Sequence, residues 1–295
     1  MDYNSPYSEA ARPRPRTARR SWGCATPGCI LLLALPFVVL LVVYLLAPMR
    51  INLLLMGIDR PPEGTNTSRT DTMILFSVVP LKPTIEMLSI PRDLWVSIPG
   101  VGENRINTAH FFAEANAPGT GPKAAADTVE ANFGIKVSYT IRIRFDGFVK
   151  MVDTMGGVDL NLTDATGGLS AGPHHLNGTE ALAFARDRKG TDDFFRMADG
   201  QLMFKAVIQQ MLKFINWPRI PVEMAVMFRS MDTTVPIWQW PRLLVAFLRA
   251  GPGGIDNHVL SRDMVQGYIT DEGADVLLPN WDLIKPYVAQ LFGQK

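Results

Sequence analysis

The chain has 295 residues, 47% of them hydrophobic and 19% charged, which excludes a peptide hormone, a disulfide mini-scaffold and a disordered chain and allows one large domain or two small ones. Its 29 Lys and Arg nearly balance 28 Asp and Glu, so no excess of positive charge points to nucleic acid. The charge is unevenly placed: Arg12, Arg14, Arg16, Arg19 and Arg20 stand against only Asp2 and Glu9 ahead of residue 50.

No charge occurs from Ser21 to Met49, and residues 30–46 read ILLLALPFVVLLVVYLL. That run makes about 25 Å of helix, and its uncharged flanks extend it to the roughly 30 Å of a bilayer core. The expected organisation is a basic cytoplasmic tail over 1–28, a transmembrane anchor over 29–49 and an outer body over 50–295. Five Arg before the span and only Arg50 directly after it put the N-terminus in the cytoplasm and the body outside. A cleaved signal peptide is the rival, but its apolar core is shorter, about 7–15 residues, and it ends in a small-x-small site that YLLAPMR lacks. Pro36 is expected to kink the span. Cys24 and Cys29 are the only cysteines and lie at or before the span, so the outer body has no disulfide. Inert thiols, a partial metal pair and a lipidated pair remain as readings.

In the body, apolar β-rich runs predict strands over 51–57, 72–79, 84–90 and 139–145. The last, YTIRIRF, alternates as a strand with one wet face does. Helices are expected over 106–116, 122–133, 146–155, 178–187, 196–215, 239–249 and 282–292, punctuated by Lys-Pro, Ala-Pro-Gly and Gly-Pro-Gly-Gly. Strands interleaved with helices predict an α/β or α+β sandwich around one sheet, with residues 218–295 as further cover for the same core rather than a second domain.

Charges stand at the ends of these apolar runs: Asp59 after INLLLMGI, Arg69 and Asp71 before MILF, Arg92 and Asp93 after MLSIP, and Arg186, Arg188, Asp193 and Arg196 further on. Charges at strand termini occupy a cleft or pair with one another. Two readings follow: structural ion pairs, or a site where guanidinium forks grip phosphate and carboxylates hold a divalent metal. Other chemistries lack their signatures. His110, His174, His175 and His258 form no zinc spacing, His174–His175 falling in a Gly/Pro loop expected to be solvated. Ser68 and Ser89 have no G-x-S-x-G context, and the glycine pairs at 156–157 and 167–168 lack a P-loop lysine.

The blocks INLLLMGID (51–59), SRTDTMILFSV (68–78), LSIPRDLWVSIPG (88–100), RINTAHF (105–111), TVEANFGIKVSYTIRIRFDGFVKMVDTMGGVDL (128–160) and LNGTEALAFARDRKGTDDFFR (176–196) resemble, in order and spacing, those of the LytR-CpsA-Psr family of bacterial envelope phosphotransferases. The resemblance implies an α/β/α sandwich with a central mixed sheet, an apolar lipid tunnel and one N-terminal membrane helix, residing in the bacterial cell membrane. It implies transfer of an anionic glycopolymer from a polyprenyl-pyrophosphate carrier to a hydroxyl of peptidoglycan or another wall glycan. A non-catalytic, attenuator-like role is the alternative. By the same resemblance, Asp59 and Asp71 hold Mg²⁺ or Mn²⁺, with Asp193 a further candidate. Arg69, Arg92, Asn107, Arg186, Arg188 and Arg196 line the pyrophosphate pocket, and Asp71, Arg92, Asp93, Arg186 and Arg188 form the catalytic set. Phe145, Phe148, Val149, Val152, Phe184 and Leu202 are candidates for the tunnel wall. One departure stands out: where the family commonly reads Arg-Gln-Gln after this last block, the chain has Asp199, Gly200 and Gln201.

Overall fold

The computed structural model describes residues 27–59, 61–187, 193–213, 225–226 and 228–293. They fall into two compact units divided between Tyr44 and Leu45. Helix α1 (Pro27–Leu46) contains Pro36, and its side chains are described from Ala34 onward. Leu35 and every residue from Phe37 to Val43 are exposed, so this helix is apolar all round and buries none of these side chains in a protein core. Among the described residues no helix is long and apolar enough to cross a membrane.

The second unit is built on a six-stranded mixed sheet in the order β10-β3-β2-β1-β6-β9. Its members are β1 (Ile51–Ile58), β2 (Thr70–Val78), β3 (Ile85–Ser89), β6 (Tyr139–Arg144), β9 (Met231–Thr233) and β10 (Ile255–Val259). β1 runs antiparallel to β2 and parallel to β6. Side chains alternate across the sheet with period two. Leu54, Met56, Met73, Leu75 and Leu88 pack on one face under α3 (Gly121–Phe133) and α8 (Trp281–Phe292). Leu53, Ile74, Phe76, Ile85 and Met87 pack on the other under α7 (Trp240–Ala250), with Phe204 and Ile208 of α6 (Asp193–Leu212) against them. Both faces are covered, which explains why β1 and β2 read as continuous apolar runs. Helices α7 and α8 cover opposite faces of one sheet, so residues 231–293 complete the same core.

A third cluster, including Val152, Leu160, Phe184 and Val207, joins α4 (Phe145–Thr154), α5 (Gly178–Arg186) and α6 to the hairpin of β7 (Val158–Leu162) and β8 (Gly172–Leu176). Helix α2 (Thr108–Asn116) follows a second hairpin of β4 (Trp95–Ile98) and β5 (Gly102–Arg105), and β11 (Val265–Ile269) pairs with β12 (Asp275–Pro279).

Two expectations need correction. His174 and His175 lie in strand β8 rather than in a loop, and His175 Nδ1 meets Asp159 Oδ1 at 2.6 Å across the hairpin. The polar face of β6 is not wet: Thr140 and Arg142 are buried. Arg142 can be buried because Asp232, its direct cross-strand neighbour on β9, meets Nη2 at 2.7 Å, while Glu114 on α2 meets Nη1 at 3.0 Å.

Candidate active site

The site forms where β1 and β2 part. Gly57 is paired with Thr72 and Ile58 with Thr70, which leaves Asp71 as the extra residue of a β-bulge. A bulge re-aims the side chain it displaces, so two carboxylates, Asp59 and Asp71, flank the Ile58–Thr70 pair. A Cβ at position 57 would come within 2.9 Å of the Phe145 ring and 3.3 Å of Thr72 Cβ, so a larger residue there would displace Phe145.

The guanidinium of Arg92, in the turn after β3, donates to Asp71 Oδ1 (Nη1, 2.9 Å) and to Asp93 Oδ2 (Nε, 3.2 Å), and Arg105 Nη1 reaches Asp93 Oδ1 at 3.3 Å. Asn107 ties this turn to the bulge through its backbone: its N–H donates to the Arg92 carbonyl, and its carbonyl accepts from Thr70 N–H, both at 3.3 Å. Its side chain is buried, and Oδ1 has no hydrogen-bond partner among the described residues.

Arg186 arrives from far along the chain, at the end of α5, whose start is fixed by a capping box of Asn177 and Glu180. Its Nη2 donates to Asp59 Oδ2 at 2.6 Å, and its Cζ lies 4.8 Å from the centre of the Phe145 ring. The cation is thus held by a carboxylate and an aromatic face together.

Two cavities meet here. One is polar, lined by Asp71, Ser89, Arg92 and Arg196 among others. The other, of ≈ 120 Å³, is walled by apolar side chains including Leu55, Phe145, Phe148, Met203 and Phe204, with Arg186 on its wall. Thr72, Ile74, Ala185 and Gly200 line both, so the polar recess, of ≈ 20 Å³, adjoins the apolar cavity through shared walls. A ligand with an anionic head and a hydrocarbon tail matches that pairing.

Of the residues expected at the site, Asp71, Arg92, Asp93 and Asn107 form one connected group, Arg196 joins Asp71 and Arg92 in the polar cavity, and Asp59 and Arg186 form a second pair. Arg69 is exposed and makes no ion pair among the described residues. Arg188 and the side chain of Asp193 lie outside the described residues. Phe145 and Phe148 line the apolar cavity. Val149, on the same helix, is not among the cavity's lining residues; its carbonyl packs against Gly178 of α5 instead. Val152 and Phe184 sit in the core cluster behind α4 and α5, and Leu202 points outward from α6 at 37% exposure, so none of these three walls the cavity.

Sequence reading passed over a buried network beneath the 59–70 connection. Ser68 Oγ donates to the Asp59 carbonyl (2.8 Å), His110 Nδ1 meets the Ser68 carbonyl (2.8 Å), and Arg142 Nη1 faces His110 Nε2 at 3.1 Å. With Arg142 as donor, His110 is the neutral tautomer carrying its proton on Nδ1. Burial and the Arg142 charge push the His110 pKa down, against weaker opposing pulls from the Ser68 carbonyl and Glu114. Burial alone would raise the Glu114 carboxyl, but the Gly119 and Gly121 amides and Arg142 outweigh it and hold the group low. The available signal was an arginine, Arg142, at a polar position of a strand between two covered faces.

As metal ligands, Asp59 and Asp71 are hard oxygen donors of the kind Mg²⁺ takes, usually one or two carboxylates completed by phosphate oxygens. No group of three His, Cys, Asp or Glu that could form a protein cage occurs among the described residues. The donor set fits an ion shared with a phosphate ligand.

Residues 47–276 match the LytR_cpsA_psr family. The chain belongs to that family. A curated relative from Oceanobacillus iheyensis, polyisoprenyl-teichoic acid–peptidoglycan teichoic acid transferase TagU, is 41% identical over 143 residues, covering 47% of this chain and 44% of the relative. Regulatory protein MsrR of Staphylococcus aureus is 29% identical over 195 residues, 63% of this chain and 57% of the relative. The chain therefore spans about half the length of these curated relatives. Among solved structures, TagV of B. subtilis superposes with a TM-score of 0.67 at 24% identity, covering 84% of this chain and 99% of that one. Its likeness is one of fold.

The departure from the LytR_cpsA_psr pattern at 199–201 has a structural counterpart. Asp199 is buried and accepts a hydrogen bond from Thr166 Oγ1 at 2.8 Å; burial pushes its pKa up, and the Asp187 charge adds to that against the Thr166 bond. Gly200 lines both cavities, and a Cβ there would meet nothing within 4 Å. Gln201 is structural: its Nε2 donates to Ser89 Oγ (3.0 Å) and the His258 carbonyl (2.7 Å), tying α6 to the sheet.

Proposed function

We propose that this protein is a membrane-anchored phosphotransferase that moves an anionic glycopolymer from a polyprenyl-pyrophosphate carrier to a hydroxyl of a cell-wall glycan. The observation that supports this most is the adjacency of the two cavities: Arg92 and Arg196 line a polar recess that shares walls with an apolar cavity, an arrangement suited to a diphosphate bearing a prenyl tail. The transferase name of the TagU relative points the same way.

Phosphoryl transfer needs positioning and charge neutralisation more than covalent chemistry from the protein. Arg92 and Arg186 are presented on separate elements, so they can approach a diphosphate from two sides, exchanging their carboxylate partners for phosphate oxygens. Asp59 and Asp71 would hold Mg²⁺ when it binds, and the ion would supply further neutralisation at those oxygens. The apolar cavity takes the first part of the prenyl chain and excludes water from the reacting end. The uncharged run from Ser21 to Met49, with the apolar stretch 30–46 at its centre, would anchor the chain in the membrane, N-terminus inside and body outside.

The test uses the full chain in vesicles with a lipid-linked glycopolymer as donor and peptidoglycan as acceptor. Asp71→Ala and Arg92→Ala should each lose most of the transfer while the protein stays folded, and chelator should stop the wild type. Undiminished turnover in either variant overturns the assignment. The regulatory name of MsrR favours a non-catalytic alternative, for which no transfer by the wild type is the expected result.

A further inference from the structure

Helix α7 carries apolar side chains on two sides. Leu243 and Ala246 are buried against the sheet, while Leu244 and Leu248 are 55% and 47% exposed, and Ile237 and Trp238 in the turn before it are exposed further still. A surface helix ordinarily turns polar side chains to solvent, and a contiguous exposed apolar face marks a binding surface. This one has basic flanks: Arg229, Arg249 and Lys82 are exposed, and α7 itself has no acidic residue.

What covers it follows from where the chain enters the body. Arg242, fully buried on α7, donates from Nη2 to the carbonyl of Ala47 at 3.0 Å. Ala47 directly follows Leu46, the last residue of the apolar α1, so the first turn of α7 is pinned to the covalent exit toward that helix. We infer that the outer face of α7, with Ile237 and Trp238, docks on the surface of an anionic lipid bilayer. Leu244 and Leu248 enter the headgroup boundary, Trp238 sits at the level where tryptophan is favoured, and Arg229 and Arg249 meet lipid phosphates. This rests on the reading of α1 as a membrane anchor and extends it from tethering to orientation. The apolar cavity shares Leu55, Ile74 and Phe204 with the core on the α7 side of the sheet, so docking turns that side toward the membrane that holds a prenyl carrier.

The experiment uses the full chain, with Cys24→Ser and Cys29→Ser, one chain per nanodisc containing phosphatidylglycerol. A polarity-sensitive fluorophore is placed in turn at Leu244→Cys, Leu41→Cys in α1, and Val101→Cys, an exposed position on the β4–β5 turn. The Leu244 label should be blue-shifted, quenched by lipids with brominated chains and shielded from aqueous iodide. The Val101 label should show the reverse, and adding Leu248→Glu should return the Leu244 label to iodide quenching. A Leu244 label quenched by iodide while the Leu41 label is quenched by bromolipid overturns the docking and leaves the anchor standing. A Leu41 label quenched by iodide overturns both. Shielding of Leu244 only in discs that hold two chains assigns the face to a second copy instead and overturns the lipid proposal.

Discussion

Asp199 and Gly200 are neighbours on α6 with opposite consequences. Because burial raises the Asp199 pKa, the folded state favours the protonated carboxyl. Its stabilisation is fully present below the unfolded value of about 3.9 and is lost as pH rises through the raised folded value. Asp199→Asn keeps an oxygen for Thr166 and removes that loss, so its melting temperature should exceed wild type at pH 7, with the advantage vanishing near pH 4. An equal shift at both pH values would mean that ionisation is not the cause. His110 works in the other direction. Its depressed pKa makes its contribution complete above about 6.5 and lost as pH falls through the folded value, and His110→Gln should flatten that acid limb. At Gly200 the missing Cβ leaves open the space common to both cavities. Gly200→Phe should weaken binding of geranyl pyrophosphate strongly and that of inorganic pyrophosphate little, as titration calorimetry on both would report. Equal loss for the two ligands would place the side chain elsewhere.

At the scale of elements, what the sequence revealed depended on burial. Strands β1, β2 and β3 lie between two helical layers, so their apolar runs were legible to within two residues, as were α2–α5, α7 and α8, whereas α6 begins and ends three residues earlier than expected. Edge strands carry no such signal: β10 reads IDNHV and β9 only MDT, and backbone pairing places them more than side-chain burial does. The site was legible as residues and illegible as geometry. Asp71 reads as a charge at a strand end, but the bulge that aims it depends on the β1–β2 register, which period-two apolar runs alone do not set. Arg105 and His110 lay within a recognised block, yet their roles rest on contacts made across the fold. Helix α5, which delivers Arg186, depends on a close approach: a Cβ at Gly178 would fall 2.3 Å from the Val149 carbonyl oxygen on α4. Gly178→Ala should therefore cost about 1–3 kcal/mol and weaken pyrophosphate binding by shifting Arg186. Wild-type unfolding free energy in urea would show that α4 and α5 can part without cost.

Across the whole molecule, the site gathers Asp59 and Asp71 from a strand end and a bulge, Arg92 from a turn, and Arg186 from the end of a helix 127 residues beyond Asp59. The sequence allowed these charges to be structural ion pairs or a phosphate site, and in the structure they are paired: Arg92 with Asp71 and Asp93, Arg186 with Asp59. Pairing alone does not decide between the readings; substitutions at the two kinds of cluster do. The Arg92 and Asp71 side chains are half-buried, keeping 19% and 24% of their surface in solvent, so water can reach either charge if its partner is removed. The buried Arg142–Glu114 pair, at 4% and 2%, is the contrasting case, since removing one partner there strands a charge in the core. The two clusters should therefore respond in opposite ways. Arg142→Ala should lower the melting temperature sharply. Arg92→Ala should leave it nearly unchanged and abolish pyrophosphate binding, and Arg92→Lys should recover little of that binding because it keeps the charge but not the two-pronged geometry. Melting curves and pyrophosphate titrations on the same three variants test this. An Arg92→Ala protein that melts early yet binds pyrophosphate like the wild type would make the Arg92 cluster a structural one.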